Sequence, residues 1–399
     1  MAQIQVVGAG ECGLPLALRL LRGGQDVSLV TDRDADAVLS GAMTSTQVKF
    51  ARTVALESAA GLDFWASTAP AIGGVRFTMA VDGEAVAGWS GRFSAPARSV
   101  DQRTVFARWF TDFLAEGGRV DIADLPLAEL DRRATAYDLT VVTRASSELA
   151  GCFPVDQSLE VPSRPARRLA ALYLDGVTPD PDGLGMYVAL PGLGEVVSTP
   201  ALTGPPGQER HCDTLMFEVL PGGGIDVFDT ATTPAERLRV AREILARHLP
   251  PALAARFRDA EPTDAGATLV GAITPVLREP VGTMPSGLPV LGGGDVVCRM
   301  DPGGAQGANS AAQCAAYYAA AVLDDPDRSF DAPWMAAAAK PWLTDIARPA
   351  ALWTMTLLDP PAALQKLMDA AAYDSTLADA FAETFIVPAN MPQLATILA

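Results

Sequence analysis

The stretch Ile4-Gln5-Val6-Val7-Gly8-Ala9-Gly10-Glu11-Cys12-Gly13 decides the fold. An apolar strand runs straight into a G-x-G-x-x-G turn, and Leu14 to Leu21 then continues with helical apolar spacing. Gly8 permits the tight turn, Gly10 lets a pyrophosphate approach the backbone, and Gly13 lets the helix pack on the strand. An anion bound there meets the free N–H groups of the helix and the positive end of its dipole. A second strand, Asp26–Thr31, ends at Asp32-Arg33, so these two residues are candidate cofactor contacts. The Asp32 carboxylate accepts hydrogen bonds from ribose hydroxyls and repels a 2′-phosphate. The turn serves NAD and FAD alike, and the rest of the chain must separate them.

Composition sets outer limits. The chain has 399 residues, 49% of them hydrophobic and 19% charged, enough for a large core divided between two or three lobes. No apolar run approaches the ~20 residues of a membrane span, and the N-terminus lacks the pattern of a signal peptide. The expectation is a cytoplasmic protein without membrane contact. A formal charge of −17 argues against nucleic acid as a partner, because such binding depends on clustered Lys and Arg. Five scattered cysteines and two histidines offer neither a disulfide framework nor metal-ligand spacing, so no metal is expected.

Residues 34 to 60 form a polar, small-residue stretch. Within it Thr46 and Gln47 are candidate substrate contacts, or else part of a solvated loop. Val75–Val81 and Ala85–Phe93 alternate about Asp82-Gly83 and predict a β-hairpin in a second sheet. The segment Ala95-Pro96-Ala97-Arg98-Ser99-Val100-Asp101-Gln102-Arg103 leads into a helix over Thr104–Glu116, capped by Ser99 or Asp101. Arg98, Gln102 and Arg103 suit a phosphate or ribityl chain there, or else a solvated helix start. Tyr137–Thr143 returns as a buried strand of the first sheet. From residue 160 to 290, short strands at Leu169–Leu174, Gly185–Leu190, Gly194–Thr199 and Thr214–Val219 predict an antiparallel, mostly β lobe. One amphipathic helix, Pro234–His248, crosses it. His248, at the helix end, can cap carbonyls.

A second cluster, Leu288-Pro289-Val290-Leu291-Gly292-Gly293-Gly294-Asp295, is followed by Asp301-Pro302-Gly303-Gly304-Ala305-Gln306-Gly307-Ala308-Asn309 and an Ala-rich helix. Asp295 at a strand end can bond ribityl hydroxyls. The amides of Gly307, Ala308 and Asn309 open a helix and can stabilise negative charge on a flavin. Together with Val7-Gly8-Ala9-Gly10 and the 95–103 segment, this cluster resembles the styrene and indole monooxygenases. The likeness runs almost end to end, through Tyr137-Asp138-Leu139, Pro280-Val281-Gly282-Thr283, Leu352-Trp353-Thr354 and Ala378-Asp379-Ala380-Phe381.

The resemblance implies a p-hydroxybenzoate-hydroxylase-like α/β fold: a Rossmann-like FAD-binding domain with an inserted, mostly antiparallel β substrate domain and a helical C-terminal segment. The expected FAD-binding domain comprises residues 1–60, 95–160 and 285–325, the substrate domain 61–94 and 161–284, and the tail 326–399. The resemblance further implies the oxygenase component of a two-component system. FADH2 from an NADH-dependent flavin reductase reacts with O2 to a C4a-(hydro)peroxyflavin, which transfers one oxygen to a small apolar or aromatic molecule. Gly8, Gly10, Gly13 and Asp32 then hold the ADP half, with Arg98, Gln102 or Arg103 near the pyrophosphate and ribityl. Asp295, Pro302, Gly307 and Asn309 lie at the isoalloxazine. No general base is named, and a homodimer is open. Thr143-Arg144 follows the strand where single-component hydroxylases carry Asp-Gly, and no second glycine fingerprint offers a nicotinamide site. The family pattern departs at Ala305, which replaces a glycine, at Met43 and Thr46, which replace an Arg and an Asn, and at Leu352, which replaces an Arg. Alternative readings are another FAD enzyme on this scaffold (an oxidase or single-component hydroxylase), a non-catalytic flavin-binding partner, and an NAD-dependent dehydrogenase.

Overall fold

Strand Gln3–Val7 sits in the interior of a six-stranded sheet, because Ile4, Val6 and Val7 bury apolar side chains on both of its faces. The computed structural model describes residues 1–159, 162–325 and 327–395. The order across this sheet is Val281–Thr283, Pro289–Gly292, Leu139–Val142, Gln3–Val7, Asp26–Thr31, Arg119–Ile122. Every neighbouring pair is parallel except the first. Helix Gly13–Arg22 packs against both Gln102–Ala115 and Gln306–Asp324. Two helix N-termini, those of Gly13–Arg22 and Gln306–Asp324, thus come to the carboxyl end of the sheet, where ligands bind in open α/β folds.

The second sheet has eight strands. Arg168–Asp175, Arg210–Val219, Gly194–Thr203, Gly185–Leu190, Ala71–Val81 and Glu84–Arg98 lie side by side, with Glu261–Pro262 and Thr268–Ala272 both on the outer edge of the first. The pairing is antiparallel apart from Ala71–Val81 with Gly185–Leu190. The hairpin turns at Asp82 (φ 50°) and Gly83 (φ 82°), two left-handed residues whose twist matches that of the strands. Its return strand runs to Arg98 rather than stopping at Phe93, because Ala97 and Arg98 still pair with Ile72 and Ala71. Helix Pro234–His248 begins with a capping box between Thr233 and Glu236 and buries Leu238, Ala241, Ile244 and Leu245 in one core with Leu215 and Phe217.

Two stretches differ from the sequence reading. Residues 34–60 hold two helices, Ala35–Ser40 and Ala51–Ala59, and only the segment between them is a loop. In the tail, Pro341 and Pro349 do not break the chain's helical course. Ala332–Trp342, a π-turn over Leu343–Ala347 and Arg348–Leu358 follow one another with helical dihedrals at both joints. The wider π-turn lies between the two prolines. Only Pro360-Pro361 interrupts. The domain limits expected at 160/161 and 326 fall outside the described residues.

Trp342 anchors this tail. Its ring is fully buried, and its indole N–H donates to the Ser310 carbonyl at 3.0 Å, on helix Gln306–Asp324. Trp342→Ala is expected to lower the unfolding free energy by about 3–5 kcal/mol. Urea denaturation followed by tryptophan fluorescence measures it, and a loss well under 1 kcal/mol removes this anchor from the account.

Candidate functional site

Where the two sheets meet, a cleft of about 1370 Å³ opens. Gly10, Glu11, Cys12, Thr143, Gly294 and Asp295 line it from the first sheet, and Val197, Thr199, Thr214 and Met216 from the second. The glycine turn has the shape its sequence requires. Gly8 adopts φ +113°, its N–H donates to the Val30 carbonyl at 2.8 Å, and a Cβ there would lie 2.7 Å from Thr143 Oγ1. A Cβ on Gly13 would stand 1.8 Å from the Gly8 carbonyl oxygen, so only glycine lets the helix start so close. A Cβ on Gly10 would meet nothing within 4 Å. The turn is closed at Gly8 and Gly13 and open to the cleft at Gly10, a cradle that fits a dinucleotide's phosphates.

The opposite wall begins at Asp301, whose carboxylate accepts from the Gly303 N–H at 3.1 Å and caps the turn Pro302–Gly304. Helix Gln306–Asp324 follows and presents Gly307, Ala308 and Ala311 to the cleft with Pro302 and Ala305. Gln306 itself is engaged elsewhere, donating to the Gly304 and Phe385 carbonyls at 2.8 and 2.9 Å. Asp295 is exposed to the cleft, and the protein packed around its base raises its carboxyl above the ordinary range, against the pull of Arg299. Between the walls, Thr44 to Val48 forms a rim. The Gln102 amide donates to Gln47 Oε1 at 3.0 Å, Gln47 donates to the Val100 carbonyl at 2.9 Å, and Thr46 lies 3.6 Å from Met216 Sδ.

Eight of the residues singled out from sequence therefore share this lining: Gly10, Thr46, Gln47, Gln102, Asp295, Pro302, Gly307 and Ala308. Others are placed differently. Arg98 is paired with Asp63 at 2.7 Å. Every N–H of the Arg103 side chain is taken by Asp101, Asp264 or the Gly41 carbonyl, which leaves none for a phosphate. Asn309 turns from the cleft: it donates to the Val48 and Ala305 carbonyls, both at 2.8 Å, and accepts from the Phe50 N–H. Asp32 and Arg33 are exposed outside the lining, with Arg144 3.7 Å from Asp32. Met43 is buried in a core with Tyr173 and Ala201, and Leu352 is exposed.

Sequence reasoning missed the polar residues beneath the site. Lys49 is buried between Glu11 and Glu57, 2.6 Å from each. On the second sheet, Glu218 follows Thr214 and Met216 on the same strand face. Glu218 is buried, and among the described residues neither of its carboxyl oxygens has a hydrogen-bond donor. Its potential cation, Arg167, is already engaged by Glu195 through two bonds of 2.7 and 2.8 Å. The strand read from sequence at Thr214–Val219 has a two-residue period that puts these side chains on one face, but local sequence does not say what lies opposite them.

An apolar pocket of about 460 Å³ adjoins the cleft. Phe50, Ile72, Val75, Phe93, Tyr187 and Phe385 line it, and Val48, Val197, Thr199, Met216, Pro302 and Ala305 border both spaces.

Ala305 occupies the left-handed region (φ 53°), where a Cβ is strained. Ala305→Gly is expected to raise the unfolding free energy by up to ~1 kcal/mol, read from the urea midpoint, and lower stability contradicts the strain. Burial first, then Asp301 and Glu195, push Glu218 well above the ordinary carboxylate range. A raised acid stabilises the fold below its unfolded value and loses that contribution as pH rises through its folded one. Glu218→Gln is therefore expected to melt higher than the parent at about pH 8 and equally at about pH 4. A variant that melts lower at the alkaline pH refutes the neutral Glu218.

Comparison with known proteins follows the same lines. Residues 146–256 match the model of the styrene monooxygenase A putative substrate-binding domain. The chain is 28% identical to styrene monooxygenase StyA of Pseudomonas fluorescens over 319 residues, 78% of this chain and 75% of that protein. Among solved structures, a flavoprotein/dehydrogenase from Cytophaga hutchinsonii superposes with a TM-score of 0.67 at 14% identity, covering 99% of this chain and 97% of that one. PqsL of P. aeruginosa, in complex with 2-aminobenzoylacetate, superposes with a TM-score of 0.65 at 15% identity, covering 94% and 99%. The two structures share the fold, and the likeness to the styrene monooxygenases drawn from the motifs is shown by the sequence comparisons.

Proposed function

We propose, on the premise of that likeness, that the chain is an FAD-dependent monooxygenase that receives FADH2 from a separate NADH-dependent flavin reductase. It inserts one atom of O2 into a small apolar or aromatic molecule. The observation that carries this reading is the open cradle at Gly10 facing the N-terminus of helix Gln306–Asp324 across a cleft that adjoins an apolar pocket. Bound as FADH2, the flavin supplies the electrons that reduce O2 and the activated oxygen that is transferred.

The chain's own residues bind, orient and exclude water. Gly10 and the first amides of helix Gly13–Arg22 take the phosphates, with Gly8 and Gly13 holding the turn. Asp295 takes ribityl hydroxyls, and Pro302, Gly307 and Ala308 lie at the isoalloxazine, where the helix amides stabilise negative charge. Gln47 and Gln102 fix the rim through their mutual bond. Val48, Phe50, Phe93, Tyr187 and Phe385 give the substrate a dry surround, and such a surround suppresses wasteful breakdown of the activated oxygen. The pocket's lining is mostly hydrocarbon, which suits a neutral substrate; the residues here place no base upon it.

Chemically reduced FAD, O2 and a panel of aryl alkenes, indoles and aryl sulfides, mixed with the protein and no NADH, test this directly. Oxygenated product is expected, and Met216→Trp, which fills the border of cleft and pocket, is expected to cut product by more than about tenfold while FAD still binds. Product that forms only with NADH and a flavin retained through purification favours the single-component alternative.

A further inference from the structure

Two carboxylates compete for one cation directly behind the anion-binding turn. Lys49 Nζ lies 2.6 Å from Glu11 Oε1 and 2.6 Å from Glu57 Oε1, with all three side chains under a tenth exposed. The ammonium rests 4.6 Å from the centre of the Trp109 ring, which completes its enclosure. The surrounding charges favour one glutamate over the other. Asp63 also faces Glu57 but is paired with Arg98 at 2.7 Å. Arg19 acts on Glu57 through space while its own N–H donates to the Leu56 carbonyl. On Glu11's other side stand the thiol of Cys12 and, beyond it, Asp295, neither of them a cation. Burial raises the carboxyls of both glutamates, and the charge of Glu57 adds to the rise at Glu11, so Glu11 is the group that gives way.

Glu11 follows Gly10 in the chain and lines the cleft. We propose that an anionic dinucleotide binding at the Gly8–Gly13 turn brings with it a proton that settles on Glu11, which makes the proton a second ligand of the site. This rests on the reading of the cleft as an FAD site. Phosphates placed beside Gly10 add negative charge to an enclosed cluster that already has a surplus carboxylate, and in such surroundings like charges strongly favour the protonated acid. The physiological range is the relevant one, since burial lifts Glu11 to about 7 even against the attraction of Lys49. Linkage then works both ways: the dinucleotide draws in the proton, and loss of the proton as pH rises weakens the dinucleotide. Lys49 also ties the glycine turn to the rim that borders the substrate pocket, so the same proton bears on both spaces.

Calorimetric titration of the full chain with FAD, in two buffers of different ionisation heat, measures the proton directly. For a one-unit upward shift of Glu11 on binding, uptake of about 0.4 proton at about pH 8 and little at about pH 6 is expected, with roughly fivefold weaker binding at the higher pH. Glu11→Gln, which keeps a neutral side chain at every pH, is expected to bind with equal heat in both buffers and with a flat pH profile. Equal heats for the parent chain at the higher pH, or an unchanged buffer dependence in the variant, overturn the inference. If Glu11→Gln does not fold, the two-buffer comparison on the parent chain decides alone. Failure of FAD to bind under any of these conditions overturns the flavin reading itself and the inference with it.

Discussion

The site depends on one close approach, that of the Gly13 Cα to the Gly8 carbonyl. Because no side-chain atom intervenes, helix Gly13–Arg22 starts immediately at the end of strand Gln3–Val7 and aims its free amides at the sheet's carboxyl edge. That placement sets where helix Gln306–Asp324 can pack, and hence where its own N-terminus opens. A cleft with two convergent helix ends is the geometric result.

The local half of this design was legible from sequence. Strand, turn and helix at the N-terminus, the Asp82-Gly83 hairpin and helix Pro234–His248 are each specified by neighbouring residues, through glycine placement, left-handed turn chemistry and a capping box. The parts that escaped depend on partners far along the chain. Arg103 has the composition of a phosphate ligand until Asp264, more than a hundred residues away, claims its guanidinium. Asn309 clamps Val48 and Phe50 across a still longer separation. Lys49 has no neighbour in sequence that announces burial between two acids. Proline gave the converse error at Pro341 and Pro349, where a π-turn let the helical course continue.

Charge is managed by pairing and by protonation. Arg98, Arg103 and Arg167 are each neutralised by carboxylates before reaching the cleft. The buried carboxyls of Glu218 and Asp301 are both raised above the ordinary range, by burial first and by neighbouring acids next, so they resist ionising together. The cleft wall is thereby held by hydrogen bonds and backbone dipoles more than by formal charge, which suits a ligand whose own charge changes during a reaction.

The pocket's far wall has a different origin from its floor. Phe385 lines it, Gln306 holds the Phe385 carbonyl, and Trp353 presses on Gly304, where a Cβ would stand 2.3 Å from the indole ring. In a chain emerging from the ribosome, the apolar chamber could not be enclosed until residue 385 had been made. Until then, the turn that holds the phosphates would face a chamber still open to water.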